Sequence, residues 1–242
     1  MPTPATMVRF SSGEDGSTRW WGGEHVYSDE VALSLFDSVD NEVVGEYAGD
    51  ALNDMIDGPA LARIPVFRTL VSINITSGVR DDPFARKLLR FLHGATVTPQ
   101  TLARFTRQDA GCERTSRCRI AKALLLLLDQ ADDDLIKAEV IGRLFARLLV
   151  EDIEEGDMLE AARRLVGIEI DDLRRLGGVA VVTDLDGEVL GRLSHAGVVD
   201  GPEAGGWGHG DVTWHRASVT DLGRLLLDCL SPTEETRGAG SG

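Results

Sequence analysis

Aromatic residues are scarce, only 5% of 242. The core must therefore be built mainly from Leu, Val, Ile and Ala, a palette that suits helices packed on helices. Cysteines number three, Cys112, Cys118 and Cys229, without metal-ligand spacing. An odd, sparse set argues against a secreted disulfide scaffold and for a reducing cytoplasm. Long apolar runs are missing too. The longest aliphatic stretch, Ala123 to Leu128, is bounded by Lys122 and Asp129, far short of the ~20 residues of a membrane span. The opening Met1-Pro2-Thr3-Pro4-Ala5 lacks the basic and apolar regions of a signal peptide.

The signatures of several chemistries are also lacking. There is no Gly-x-Ser-x-Gly, no Gly-x-x-x-x-Gly-Lys-Ser/Thr, and no Gly-x-Gly-x-x-Gly after a strand, so neither a serine-hydrolase elbow nor a nucleotide cradle is expected. Asp132-Asp133-Asp134 has no glycine among them and no glutamate at the spacing of a calcium loop; it reads as a helix cap. His209, Asp211, His215 and Cys229 are metal-binding residue types. His209, Asp211 and His215 lie across a hairpin tip, where alternation sends neighbours to opposite faces, so they read as surface polar groups. Cys112 and Cys118 sit among Arg114, Arg117 and Arg119. Such neighbours lower a thiol pKa, but the pair reads as incidental in a polar connection. The expectation is a chain with no enzymatic activity, no cofactor and no metal.

What is present is charge, unevenly placed. The formal net charge is −15. Residues 28–57 hold nine acidic and no basic residues, whereas 59–128 hold twelve basic and four acidic. An acidic stretch next to a basic one means either complementarity within one fold or a basic face kept for an anionic partner.

The expected fold is mainly α, a multi-helix body with a small carboxyl-terminal α/β module. Residues 1–27 read as a flexible arm containing Trp20 and Trp21, 28–177 as the helical domain, 178–232 as the module, and 233–242 as a disordered tail. Ser28 caps a first helix, whose apolar stripe from Val31 recurs at helical spacing to Ile56 and stops at Gly58-Pro59. An apolar stretch fills 60–78. Asp82-Pro83 opens a helix that ends at Gly94, and Thr98-Pro99 opens another. Residues 109–118 read as a polar connection, 119–129 as an apolar helix, and 135–149 as the next. Gly156-Asp157 separates that helix from one running from Met158 to about Leu176. After Gly177-Gly178, Val179 to Thr183 reads as a strand. A helix follows from Asp186 or Glu188 to Gly197, then strands at 198–199 and 212–218 around a glycine-rich tip with Trp207. Thr220 caps the last helix.

The phrases Leu190-x-x-Leu193-x-x-x-Gly197-Val198 and Val219-Thr220-x-Leu222-Gly223-x-x-Leu226 resemble the second half of a winged helix. The resemblance implies a recognition helix, a wing and the helix after it. Two departures stand out: residues 184–197 leave room for only one helix, and the module is acidic, whereas grip on a phosphate backbone needs Lys and Arg. The helical part, with Phe84 to Leu92 and Lys137 to Phe145, resembles a scattered group of uncharacterised bacterial and prophage proteins with a winged-helix-like tail. That likeness spans residues 50–230 and implies an architecture, with no catalytic residues to carry over.

The leading expectation is a cytoplasmic, non-enzymatic regulatory or protein-interaction protein in a prophage, mobile-element or host-defence setting. Its partner would be another protein or a second copy. Trp20, Trp21, Trp207, Trp214, Arg192, His195 and Arg216 are the candidate contact residues, since buried aromatics and Arg dominate contact energies. One alternative is a winged-helix transcriptional regulator binding DNA. Another is a membrane-surface effector that uses the basic, apolar segment 60–92, with Arg80, Arg86, Lys87 and Arg90 meeting an anionic surface.

Overall fold

A computed structural model describes residues 27–39, 44, 61–70, 82–96, 114–132, 134–201 and 217–231. The protein is mainly helical, with a small two-stranded sheet near the carboxyl end.

The helices begin where the sequence places capping oxygens. In α1 (Asp29–Val39) the Ser28 hydroxyl accepts from Val31 N at 3.3 Å. In α3 (Pro83–Gly94) Asp82 accepts from Phe84 N and Ala85 N, and in α5 (Leu135–Leu149) Asp134 accepts from Ile136 N and Lys137 N. The short α2 (Pro65–Thr69) has no cap of its own at Ile64. Its free Val66 N–H instead donates to Ser38 Oγ of α1 at 2.9 Å, and Thr69 and Ser34 share a 2.6 Å hydroxyl contact. Buried Ser38 on α1 thus supplies the partner that the start of α2 lacks, and buried Ser34 meets its last residue.

Helices α3 (Pro83–Gly94) and α5 (Leu135–Leu149) form the closest pair. A Cβ on Gly94 would lie 2.2 Å from Glu139 O, and one on Gly142 would lie 2.1 Å from Phe91 O. The two glycines therefore let the backbones touch, which no side chain permits. Phe145 of α5 meets Phe91 of α3 at a centroid distance of 5.7 Å and Phe36 of α1 edge-on at 5.3 Å. α4 (Arg114–Gln130) packs on α1, and α6 (Glu155–Val166) on both α4 and α5.

Beyond α6 come α7 (Ile170–Gly178), a 3-10 turn at Val182–Asp184, α8 (Gly187–His195), β1 (Val199–Asp200), β2 (Ser218–Val219) and α9 (Asp221–Leu230). β1 and β2 are antiparallel, with Val199 opposite Val219. α9 rests on α5, α6 and α7. Buried residues of both parts belong to one connected core.

Several expectations need correction. The polar connection does not run to residue 118: α4 already starts at Arg114. Its first turns are polar because Arg119 and Lys122 pair with Glu155 and Asp29, while Cys118 turns inward. The helix expected from Met158 to Leu176 is two helices. It breaks at Gly167, where Gly167 N and Ile168 N bond three residues back, and both Ile168 and Ile170 are buried across the bend. The separator before α6 is the turn 150–154 rather than Gly156-Asp157, and Glu151 takes φ 60° there. Val179 to Thr183 is not a strand. Val181 is exposed and no strand lies beside this stretch among the described residues, so its β-branched side chains have no sheet to join. The helix expected to Ile56 is described to Val39, plus Val44. The helix at Thr98-Pro99 and most of segment 60–78 beyond Leu70 lie outside the described residues.

Candidate functional site

The carboxyl-terminal unit, α7 to α9, is the region the sequence marks for contact. Its joints follow directly from the two sequence phrases. Gly197 ends α8 at φ +75°, a conformation that suits glycine. Thr220 Oγ1 accepts from Gly223 N at 3.0 Å, capping α9, and donates to Gly197 O at 2.8 Å. A Cβ on Gly223 would sit 2.3 Å from Val198 O. The Thr-x-x-Gly phrase is thus a device that seats the first turn of α9 against β1.

Arg192 and His195 lie on α8, and they differ. His195 is exposed at the helix end. Arg192 is held by neighbours: Nε donates to Asp172 Oδ2 at 2.7 Å, Nη2 to Asp172 Oδ1 at 2.9 Å, and Nη1 to Glu188 Oε1 at 2.8 Å. Asp172, on α7, is buried. This two-pronged pair locks α8 to α7. It also raises the Arg192 pKa above its ordinary value, first through the Asp172 hydrogen bonds and then through the charges of Asp172 and Glu188. Arg192 is the sole Lys or Arg of α8, so its role as a partner contact is weakened by an internal one. Trp20, Trp21, Trp207, Trp214 and Arg216 lie outside the described residues, as do His209, Asp211, His215 and Cys112.

The basic stretch fares similarly. Arg86 is exposed, and Arg80 lies outside the described residues. Lys87, expected at an anionic surface, is 5% exposed. Its ammonium donates to Asp129 O at 3.2 Å and Ala131 O at 2.6 Å, the carbonyls at the end of α4. Burial with these two acceptors is a better setting for the charge than a surface position that would leave the carbonyls bare. Arg90 lies 3.5 Å from Glu139. Two residues that sequence reasoning passed over repeat the device. Lys137, buried, donates to Val166 O at 2.9 Å, closing α6. Arg143 donates to Cys229 O at 2.8 Å and Ser231 O at 2.9 Å, closing α9. Each is a cation placed at the negative end of a helix on another element. A Lys or Arg in an otherwise apolar stripe, as at 87 and 137, was the only signal available in the sequence.

Little else on the described surface suggests chemistry. No group of three or more His, Cys, Asp or Glu is arranged to hold a metal among the described residues. A shallow depression of about 400 Å³ beside the α5–α6 turn is lined by Leu148, Glu151, Asp152, Ile153, Glu154 and Asp157. Burial pushes the Cys229 thiol up to about 11, which suppresses thiolate chemistry. No described helix is long and apolar enough to cross a membrane. Compared with models of known protein families, with curated proteins and with solved structures, the chain matches none.

Proposed function

We propose that this chain is a non-enzymatic regulatory protein of the cytoplasm that works by contacting another protein. In this reading α1 to α6 are the scaffold, and the α7–α9 unit with its hairpin is the contact surface. The observation that carries it is the Arg192–Asp172–Glu188 lock, which ties the single cation of α8 to two carboxylates. The helix best placed to enter a groove of nucleic acid thus offers no free positive charge of its own, and counterion release supplies most such affinity. A prophage, mobile-element or host-defence setting is part of the proposal through the sequence resemblance. The test is capture from the native host with protein and nucleic acid both analysed, using the wild type and Trp207→Ala. The expected outcome is a defined protein that is lost with Trp207→Ala while the circular dichroism is unchanged. Recovery of nucleic acid in its place, or of the same protein with Trp207→Ala, would count against the reading.

A second reading, a winged-helix transcriptional regulator, is favoured by one feature: two helices, α7 and α8, precede the antiparallel pair and α9. Sequence reasoning left room for only one. This reading requires a salt-dependent gel shift with duplex DNA, and no retardation at low salt ends it. The membrane-surface reading keeps Arg86 but not Lys87, whose ammonium is buried on α4.

A further inference from the structure

Glu139 of α5 faces three nitrogen-bearing side chains at the edge of the α3–α5 crossing, and its side chain is 18% exposed. Arg143 Nη2 donates to its Oε1, Arg90 Nη1 lies 3.5 Å from Oε2, and His93 Nδ1 lies 3.8 Å from Oε1. His93 Nδ1 is buried and makes no hydrogen bond among the described residues. The same Arg143 closes the end of α9 through Cys229 O and Ser231 O. One carboxylate therefore orients the guanidinium that ties the last helix to the body.

The charged groups facing His93 are Glu139 and Arg143 from α5 and Arg90 from its own helix. Burial holds the imidazole below its ordinary pKa; Glu139 opposes this, while Arg90 and Arg143 reinforce it. The neutral form is thereby favoured. A proton on Nδ1 creates a donor 3.8 Å from an oxygen already taken by Arg143. It also places another positive charge beside two guanidiniums that share one carboxylate.

We propose that protonation of His93 draws Glu139 from Arg143 and thereby loosens the carboxyl-terminal end of α9, making the docking of the α7–α9 unit acid-sensitive. This does not depend on what that unit touches. The sign follows from linkage. A buried, neutral histidine favours the docked state at high pH, and that preference fades as pH falls below the ordinary imidazole value. Loosening that restores the ordinary pKa is promoted by up to about tenfold for each unit of the depression.

The experiment is an NMR titration of the full chain, following the His93 ring and the amides of Cys229, Leu230 and Ser231. The expected result is one shared midpoint, below the ordinary imidazole value, and faster hydrogen exchange at these amides on its acid side. In His93→Gln the α9 transition disappears. In Glu139→Gln, α9 is loosened already at neutral pH. Amides of α9 that stay flat through the His93 midpoint in the wild type overturn the proposal, and this comparison holds even if a variant fails to fold. So does an α9 transition that persists in His93→Gln.

Discussion

In the body, α3 and α5 meet at backbone distance, and the carbonyl ends of α4 and α6 are closed by lysines that reach in from elsewhere in the chain. Lys87 closes α4 and Lys137 closes α6. From α7 to α9 the joints are of another kind: a glycine at positive φ, a threonine that caps α9 and reaches back to Gly197 O, and one arginine laid across two acids. In the body, the lysine closures span 29 to 44 positions. Within the unit, the Arg192–Asp172 and Thr220–Gly197 contacts span 20 and 23. The unit meets the body through α9, where Arg143 supplies the long-range cap. The two parts differ in how their joints are made while sharing one connected core, and in the function proposed above the α7–α9 unit is the contact surface.

The comparison is broken most severely at the α3–α5 crossing. Gly142→Ala introduces a Cβ 2.1 Å from Phe91 O. Forcing the helices apart is expected to cost about 3 kcal/mol, outweighing the ~1 kcal/mol that alanine gains over glycine inside a helix. Urea unfolding checks this. An unchanged or raised midpoint shows that the crossing is looser than described.

Next in size is Lys137→Met. It keeps the stem of the side chain but strips Val166 O of its donor, for an expected loss of about 2 kcal/mol in denaturant unfolding. Thr220→Ala should be milder and local. Loss of the cap on α9 is expected to cost about 1 kcal/mol. Native-state hydrogen exchange should show it as lost protection in α9 with α3 and α5 unaffected. Equal loss of protection in all three would erase the distinction between the body and the α7–α9 unit. The smallest effect concerns Cys229. With its thiol pushed up to about 11, it should resist alkylation at pH 8 in the native chain and react readily in urea. Rapid native labelling would show that α9 opens more often than its packing implies.

Much of this was legible in the sequence where the signal is local. Asp82-Pro83, Asp134, Gly197, Thr220 and Gly223 mark joints that the structure places where the residue types require them. The caps at Asp82, Asp134 and Thr220 act within three or four positions of themselves, so no tertiary information is needed to read them, whereas Gly223 is required by its fit against Val198 O. The failures have the opposite character. The strand expected at Val179 to Thr183 rested on β-branched residues, whose preference for a strand is realised only when a neighbouring strand exists. The break at Gly167 is imposed by the need to bury Ile168 and Ile170 on a body that the local pattern does not contain. The basic middle of the chain was equally ambiguous. Residue counts distinguish a basic stretch from an acidic one but not a cation facing solvent from one facing a carbonyl end of another helix. Asp172 was overlooked for the same reason: beside Glu169, Asp171, Arg174 and Arg175 in the sequence, only its burial against Arg192 sets it apart.

The sharpest measurement uses adjacent residues of identical charge. Arg86 is exposed and Lys87 is buried on the carbonyls of α4. Equilibrium unfolding of Arg86→Met and Lys87→Met removes one positive charge in each case from the same turn of α3. If the cations of the basic stretch serve to close helix ends, Lys87→Met loses about 2 kcal/mol and Arg86→Met stays within about 0.5 kcal/mol of the wild type. Equal losses, or a Lys87→Met protein as stable as the wild type, would contradict that claim.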